Sequence, residues 1–410
     1  MKKILVISYF ARLPGACQSE WLDDKVDSLV KAGNDVALVS AICAFKYNDE
    51  SFLHSRWPSV SMKDYIDELS RMRQNHMTIR LSDLLIIPFV VTFGLLVDFL
   101  HLCVTKGIGE GRWSWSITGT LGSLLMGLRF RPDVILTTGG PASAHIVGII
   151  CSKVLNAPLV VEFQDPLSGE SIGRNLQAQG WLYKVEKFIV RYSKKAVYVT
   201  KGAARFARHQ FNFGNISAIY PGAKDFFIKS ARIIDSSKEK FRIVHLGSLY
   251  STRNFKSMIR AIDFLIESKQ IDSNSIELVN LGHVAEDIYQ EIVSKSYVKV
   301  YPLMKRIDAL HFAANSNLLL LIQNDDERSR VTIPYKTYDY LNLDVMTLAL
   351  VRSEELFDLI SSCGRVAVKL DDVDKIKQAL VDLYHGKIST SFHCNHIDPV
   401  ANASKLIGDI

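Results

Sequence analysis

Residues 241–248 read Phe-Arg-Ile-Val-His-Leu-Gly-Ser, a short strand pattern that runs into a glycine, and an amphipathic helix pattern follows from Ser257 to Glu267. Strand, glycine, helix is the βα step of a parallel sheet, whose strands are joined by helical crossovers. The step repeats downstream. Ile276 to Leu281 is a strand ending at Gly282, and Leu318 to Ile322 is another. A helix is predicted over Pro334 to Leu341 and a strand over Thr347 to Val351. A closing helix runs from Asp374 to Tyr384, with Ile376, Ala379, Leu380 and Leu383 on one face.

Upstream lies a hydrophilic stretch from Lys229 to Lys240, rich in Ser, Lys and Asp, which reads as a linker. Before it the same grammar is already present. Ile4 to Ser8 is a strand, Pro14-Gly15 a turn, and Trp21, Leu22, Val26, Leu29 and Val30 share one helical face. Gly33-Asn34 stops that helix, and Val36 to Ser40 is the next strand. Asp133 to Thr137 is a strand entering Thr138-Gly139-Gly140-Pro141, with a helix from Ala142 to Val154 and strands at Leu159–Phe163 and Ala196–Thr200 behind it. The fold class is therefore α/β, with two Rossmann-like domains at 1–228 and 241–390 and a tail, 391–410, packing back toward the first. Ligands of such sheets sit at the carboxyl ends of the strands, and in two-domain arrangements in the cleft between them.

Composition agrees with two globular domains. The chain has 410 residues, 48% apolar and 22% charged, too long for one core and too apolar for disorder. A net charge of +6 fits phosphates or an anionic membrane as partners, and no motif for RNA or DNA is present. The six cysteines are scattered without a Cys-x-x-Cys pair, which argues against a disulfide scaffold and for a reducing compartment. His393 and His396 flank Cys394 with no second ligand cluster, a poor metal site. The apolar run after Met1 is short and interrupted by Arg12 and Pro14, so it reads as a first strand and not as a signal peptide. A cytoplasmic chain is expected.

Residues 51–131 break the βα rhythm. Leu84 to Val97 carries no charge, but Pro88, Gly94 and Asp98 make a spanning helix a poor reading. Arg71, Arg73 and Arg80 precede the run, and Lys106, Arg112, Trp113 and Trp115 follow it. That composition suits a peripheral segment lying in a membrane interface, chiefly through residues 80–115. A buried hairpin of helices is the other reading.

Thr332-Ile-Pro-Tyr-Lys336-Thr-Tyr-Asp339-Tyr-Leu341 is the stretch richest in chemistry. Pro334 suits a helix start, where main-chain N–H groups favour a phosphate. Lys336 and Asp339 are three apart on one face, fit either to serve a diphosphate and a ribose or to pair with each other as a surface salt bridge. Asp325-Asp326, the nearest acidic pair, lacks the Asp-x-Asp spacing of a metal-dependent donor site and reads as a solvated loop.

Together, His245-Leu-Gly247-Ser248-Leu-Tyr250-Ser-Thr-Arg253-Asn254 and Ile333-Pro-Tyr-Lys336-Thr-Tyr-Asp339-Tyr-Leu341 resemble the donor domain of family-4-like GT-B glycosyltransferases. Asp133 to His145 and Glu162-Phe-Gln-Asp165-Pro166 resemble members acting on bacterial surface polysaccharides. The resemblance implies retaining transfer of a sugar from a nucleotide-sugar donor to a lipid-linked or growing polysaccharide acceptor, with no cofactor and no required metal. Arg253 and Lys336 would hold the diphosphate, and the N–H groups of Gly247, Ser248, Thr332 and Ile333 would line its site. Tyr250 belongs to the same donor loop. Asp339 falls where the family's second Glu contacts ribose, and is one methylene shorter. The first Glu position is Val331, leaving nearby Glu327 as a candidate for the sugar. Asp165 would orient the acceptor hydroxyl or the sugar, with a helix cap as its alternative role; Thr138, Gly139 and Gly140 would admit the acceptor, and Glu162 is structural. Expelling the nucleotide then rests on Arg253, Lys336 and a helix end in place of a metal. Two other functions stay open: a nucleotide-sugar epimerase on the same fold, and a non-catalytic membrane-associated scaffold.

Overall fold

The computed structural model describes residues 1–13, 16–44, 52–105, 112–169, 176–226, 228, 240–387, 394, 397–408 and 410. The turn at Pro14-Gly15, most of the 229–240 linker, Lys106, His393 and His396 lie outside the described residues. The chain forms two compact units: Met1–Gly222 with Asp398–Ile410, and Ala223–Ile397.

The first unit runs β1 (Lys3–Ile7), α1 (Cys17–Lys31), β2 (Asp35–Ala41), β3 (Leu53–Trp57), α2 (Met62–Gln74), α3 (Leu81–Leu84), α4 (Ile87–Thr105) and α5 (Trp115–Phe130). It continues with β4 (Val134–Thr138), α6 (Ala142–Leu155), β5 (Leu159–Phe163), α7 (Leu176–Tyr192), β6 (Lys195–Tyr198), α8 (Lys201–Phe211) and β7 (Ile216–Ala218). The strands form one seven-stranded sheet in the order β3-β2-β1-β4-β5-β6-β7, every pair parallel. The two faces divide by residue parity. Leu136 joins Ile4, Val6 and Leu38 under α1, whereas the Thr137 hydroxyl meets the His145 Nδ1 of α6 at 2.8 Å.

The second unit runs β8 (Phe241–Leu246), α9 (Lys256–Glu267), β9 (Ile276–Leu281), α10 (Glu286–Val293), β10 (Val298–Tyr301), α11 (Arg306–Ala314) and β11 (Leu318–Ile322). It ends with α12 (Lys336–Asn342), β12 (Thr347–Val351), α13 (Glu354–Ser362), β13 (Val366–Lys369) and α14 (Val373–Tyr384). Its sheet has six parallel strands in the order β10-β9-β8-β11-β12-β13. In both sheets the order reverses beside the first strand, between β1 and β4 and between β8 and β11, where crossovers diverge and leave a crevice at the carboxyl ends.

The final helix α15 (Pro399–Ile407) returns to the first unit. Ala403, Leu406 and Ile407 enter its core, and Lys195 Nζ donates to the carbonyl of Lys405 at 2.7 Å.

Several expectations are corrected. Leu53–Trp57, inside the supposed insert, is a parallel edge strand of the sheet. Cys363 and Cys394 form a disulfide across a separation of 31 residues, so the cysteine pattern gives no support to a reducing compartment. Residue spacing hid the bond because the fold, not the sequence, brings their Cα atoms to 4.7 Å. Asp326 is no solvated acid. It caps the 3-10 turn Glu327–Arg330 and accepts from Arg328 N at 3.0 Å and Arg328 Nη2 at 2.6 Å. Burial raises its pKa, but those Arg328 bonds outweigh it and hold the carboxyl below the usual range.

The residues around α4 divide between both readings. Trp115 is buried, donating from Nε1 to the Trp57 carbonyl at 2.9 Å, and Arg112 pairs with Asp64 and Asp67. Neither faces lipid. Asp98 accepts from the Lys63 N–H at the start of α2, so it is not an uncompensated acid. Val90 and Gly94 pack inward, Gly94 directly beneath Met62 of α2, yet most of α4 is bare: Val91 is 64%, Leu95 68% and Phe99 61% exposed. Among the described residues no helix is long and apolar enough to cross a membrane.

One buried pair anchors the first sheet. Lys25 Nζ on α1 meets Glu162 Oε1 on β5 at 2.6 Å, with both side chains sealed, and Thr138 Oγ1 donates to the other carboxylate oxygen at 2.7 Å. Removing one partner leaves a buried charge unpaired. Lys25→Met should therefore destabilise the first unit by about 3–5 kcal/mol, and adding Glu162→Gln should recover much of that. All five tryptophans (Trp21, Trp57, Trp113, Trp115 and Trp181) lie in this unit, so urea unfolding followed by tryptophan fluorescence reads it out.

Candidate functional site

In the second unit a chain of buried hydrogen bonds organises the crevice end of β8. Asn280, on β9, donates from Nδ2 to the Gly282 carbonyl at 2.9 Å, which turns its Oδ1 toward His245. His245 Nδ1 lies 2.7 Å from that oxygen, and its Nε2 lies 2.6 Å from Lys336 Nζ. Since Asn280 Oδ1 only accepts and the ammonium only donates, the proton sits on Nδ1 and Nε2 accepts. Burial, then the Lys336 charge, then the more distant Arg253 hold the His245 pKa well below its ordinary value, with the Asn280 bond opposing them. The imidazole is neutral.

Lys336 Nζ also donates to the Leu246 carbonyl at 2.7 Å, while the Leu246 N–H donates to Tyr340 Oη at 2.8 Å. The last residue of β8 is thus satisfied from α12, and the ammonium is fixed beside Gly247. Gly247 has φ +106° and Gly282 φ +148°, a conformation that favours glycine. A Cβ on Gly282 would stand 2.6 Å from the Gly247 carbonyl carbon, so only a glycine at 282 lets these loops pass.

Arg253 closes the following turn. Tyr250 and Arg253 exchange N–H···O bonds of 2.8 Å in both directions, and the guanidinium lies over the Tyr250 ring at 5.3 Å. Tyr250 Oη donates to Asn324 Oδ1 at 3.0 Å, linking this turn to the end of β11. Gln323 holds the other wall. Its Nε2 donates to the carbonyls of Ser329 and Thr332, and its Oε1 accepts from the N–H groups of Arg352 and Ser353.

Of the four N–H groups expected to line a phosphate, two are already taken. Gly247 N donates to the Leu281 carbonyl at 2.8 Å and Thr332 N to the Arg328 carbonyl at 3.0 Å, so both are spent. Among the described residues the Ser248 and Ile333 N–H groups have no backbone acceptor, and these two remain. Lys336 and Asp339 go to different partners: the Asp339 carboxylate is gripped by Arg306, Nη2 to Oδ1 at 2.6 Å and Nε to Oδ2 at 3.3 Å. Glu327 stands half-exposed, paired with Arg330 at 2.7 Å, and Val331 caps the turn behind it.

In the first unit Thr138 is sealed, its hydroxyl committed to Glu162, and does not present itself to a ligand. Gly139 has φ +113° over Ser8 Oγ, and Gly140 abuts the Gln18 side chain. Asp165 is exposed two residues beyond β5, and the described residues that follow it, 166–169, are not helical. Among the described residues no group of three or more His, Cys, Asp or Glu side chains is arranged to hold a metal ion.

Sequence reading missed Asn280, Gln323 and Arg306 and assigned no role to His245. Each polar residue at the end of an apolar strand was a signal: a buried strand end accepts His245, Asn280 or Gln323 only if its polar atoms find partners. Arg306 had no such signal, because its partner lies 33 residues away.

No protein-family model and no curated protein matches the chain. Solved structures do. Sucrose-phosphate synthase from Thermosynechococcus elongatus superposes with a TM-score of 0.60 at 12% identity, over 99% of this chain and 94% of that one. HepE of Anabaena, in complex with UDP-glucose, gives 0.56 at 13%, over 99% and 95%. The lipopolysaccharide outer core galactosyltransferase WaaB gives 0.52 at 9%, over 98% and 95%. At these identities the likeness is one of fold, and the fold is that of the GT-B glycosyltransferases.

His245 carries a pH signature. Neutral in the folded state, it takes up a proton near pH 6.5 only when unfolded. The stability it confers is present above about pH 6.5 and lost as pH falls, by about 1.4 kcal/mol per unit. Amide exchange of β8 should show that slope between pH 6.5 and 5 in the wild type, and His245→Gln should flatten it.

Proposed function

We propose that this chain is a glycosyltransferase that moves a hexosyl group, with retention, from a nucleotide-sugar donor bound by the second unit to a lipid-linked or growing polysaccharide acceptor in cell-surface glycan synthesis of the O-antigen or capsule type. The observation that carries the reading is the ammonium of Lys336, held beside Gly247 by a neutral histidine and a carbonyl. The imidazole and the carbonyl position the ammonium without themselves neutralising it, an arrangement that suits a diphosphate. Arg253, the Ser248 and Ile333 N–H groups and Lys336 together supply the stabilisation a departing nucleoside diphosphate needs, so no metal is invoked. HepE, of the same fold, is solved with UDP-glucose, which favours a uridine nucleotide as the first to try.

Asp339 reaches a ribose only through the lone pairs that Arg306 leaves. In the first unit, exposed Asp165 is the group assigned to orient the acceptor hydroxyl, and Gly139 and Gly140 the turn beside it. The bare face of α4, with Arg73 and Arg80 exposed just before it, supports peripheral contact with the inner face of a membrane, where a lipid-linked acceptor resides.

Calorimetry with UDP, GDP, ADP and CMP tests the donor site. One nucleotide is expected to bind, and Arg253→Ala to weaken it about tenfold to a hundredfold, the worth of a charge-assisted contact. Failure of all four to bind sinks the reading and leaves a scaffold. Conversion of a UDP-sugar without any acceptor would instead place the chemistry with epimerases.

Asp165→Asn separates the two halves of the reaction. Donor affinity should stay unchanged, while kcat of transfer falls about a hundredfold, within the usual range for a positioned acid–base group. A changed donor affinity would mean that Asp165 serves the donor.

A further inference from the structure

Helices α5, α6 and α7 lie side by side on the sheet face opposite α1. Each turns apolar side chains outward. On α5, Ile117, Leu121, Leu125 and Leu128 recur at helical spacing along one exposed stripe, Leu128 at 66%. Ile150 and Val154 continue it on α6, Val154 at 62%, and Phe188 and Tyr192 on α7. A water-facing helix normally shows its polar side there.

The exposed charges on the same three helices are all of one sign. Arg129, Lys153, Lys184, Lys187 and Arg191 are exposed, and the only carboxylate in the three, Glu186, is buried against Ser168 and Tyr198. Lys153 and Arg191 lie over the Tyr192 ring at 4.3 and 5.9 Å, holding cations at the margin of the apolar stripe. A soluble polyanion would match the cations but give the apolar stripe nothing to bury. A neutral apolar partner would leave five cations unanswered.

We propose that the outer face of α5, α6 and α7 docks on an anionic lipid bilayer, with the stripe at the level of the acyl boundary and the cations among the phosphates. The assignment is independent of the donor chemistry and extends membrane contact beyond α4 to a second face.

Flotation of the full chain with vesicles of phosphatidylcholine alone, or mixed with phosphatidylglycerol, tests it. Wild type should float with the anionic vesicles, less as salt rises. The triple variant Lys153→Gln/Lys187→Gln/Arg191→Gln should lower that partition about a hundredfold, at about fivefold per surface cation. Leu121→Ser/Leu125→Ser should lower it too, and neither variant should change donor-nucleotide affinity. Undiminished flotation of both variants would overturn the proposal, and its loss on Leu95→Ser/Phe99→Ser alone would assign the contact to α4. Equal, salt-insensitive flotation with both vesicle types would overturn the anionic assignment. A dimer in size-exclusion chromatography that Leu121→Ser/Leu125→Ser breaks would give the face to a second copy.

Discussion

Every strand in both sheets runs parallel to its neighbours, and a parallel sheet has no face to spare for water. Crossover helices must cover both sides, so the strand interiors are apolar throughout, as Leu318–Ile322 and Leu159–Phe163 show. Polar chemistry is thereby expelled to the strand ends. Two polar groups that stay inside are held from both sides: Glu162 by Lys25 and Thr138, and His245 by Asn280 and Lys336. The candidate site and the rigidity of the first sheet are both consequences of that one constraint.

The same constraint explains why the site looks built from its neighbours inward. Lys336 belongs to α12, a helix of seven residues, and a short helix end is a weak positioning device on its own. The ammonium is held instead by β8 and β9, through a histidine whose tautomer is set by an asparagine whose orientation is set by a glycine carbonyl. On the other wall Gln323 anchors the loop that presents Ile333. The imidazole and the carbonyl that hold this ammonium are uncharged and do not cancel its field.

Covering both faces of a sheet does not require the covering helices to be amphipathic, and here some are not. In α5 and α6 the outward positions are as apolar as the inward ones, and α4 has only a narrow buried stripe along Val90 and Gly94. The sheet accounts for the inner faces. For the outer faces the sheet gives no account, and the proposed anionic bilayer would supply one.

The alternation of short apolar runs with helical periods determined the α/β class, the two units and most strand positions, because burial on both faces of a parallel strand writes itself into consecutive residues. Gly247, Gly139 and Lys336 were legible for a similar reason: a turn with positive φ and a cation after a proline leave local marks. Tertiary structure alone decided the rest. It joined Cys363 to Cys394, gave Asp339 to Arg306, made an edge strand of Leu53–Trp57, and spent the Gly247 N–H on the Leu281 carbonyl of β9. Each is a pairing whose second partner is set by the packing of sheets and helices, and no local pattern encodes which distant atom will arrive.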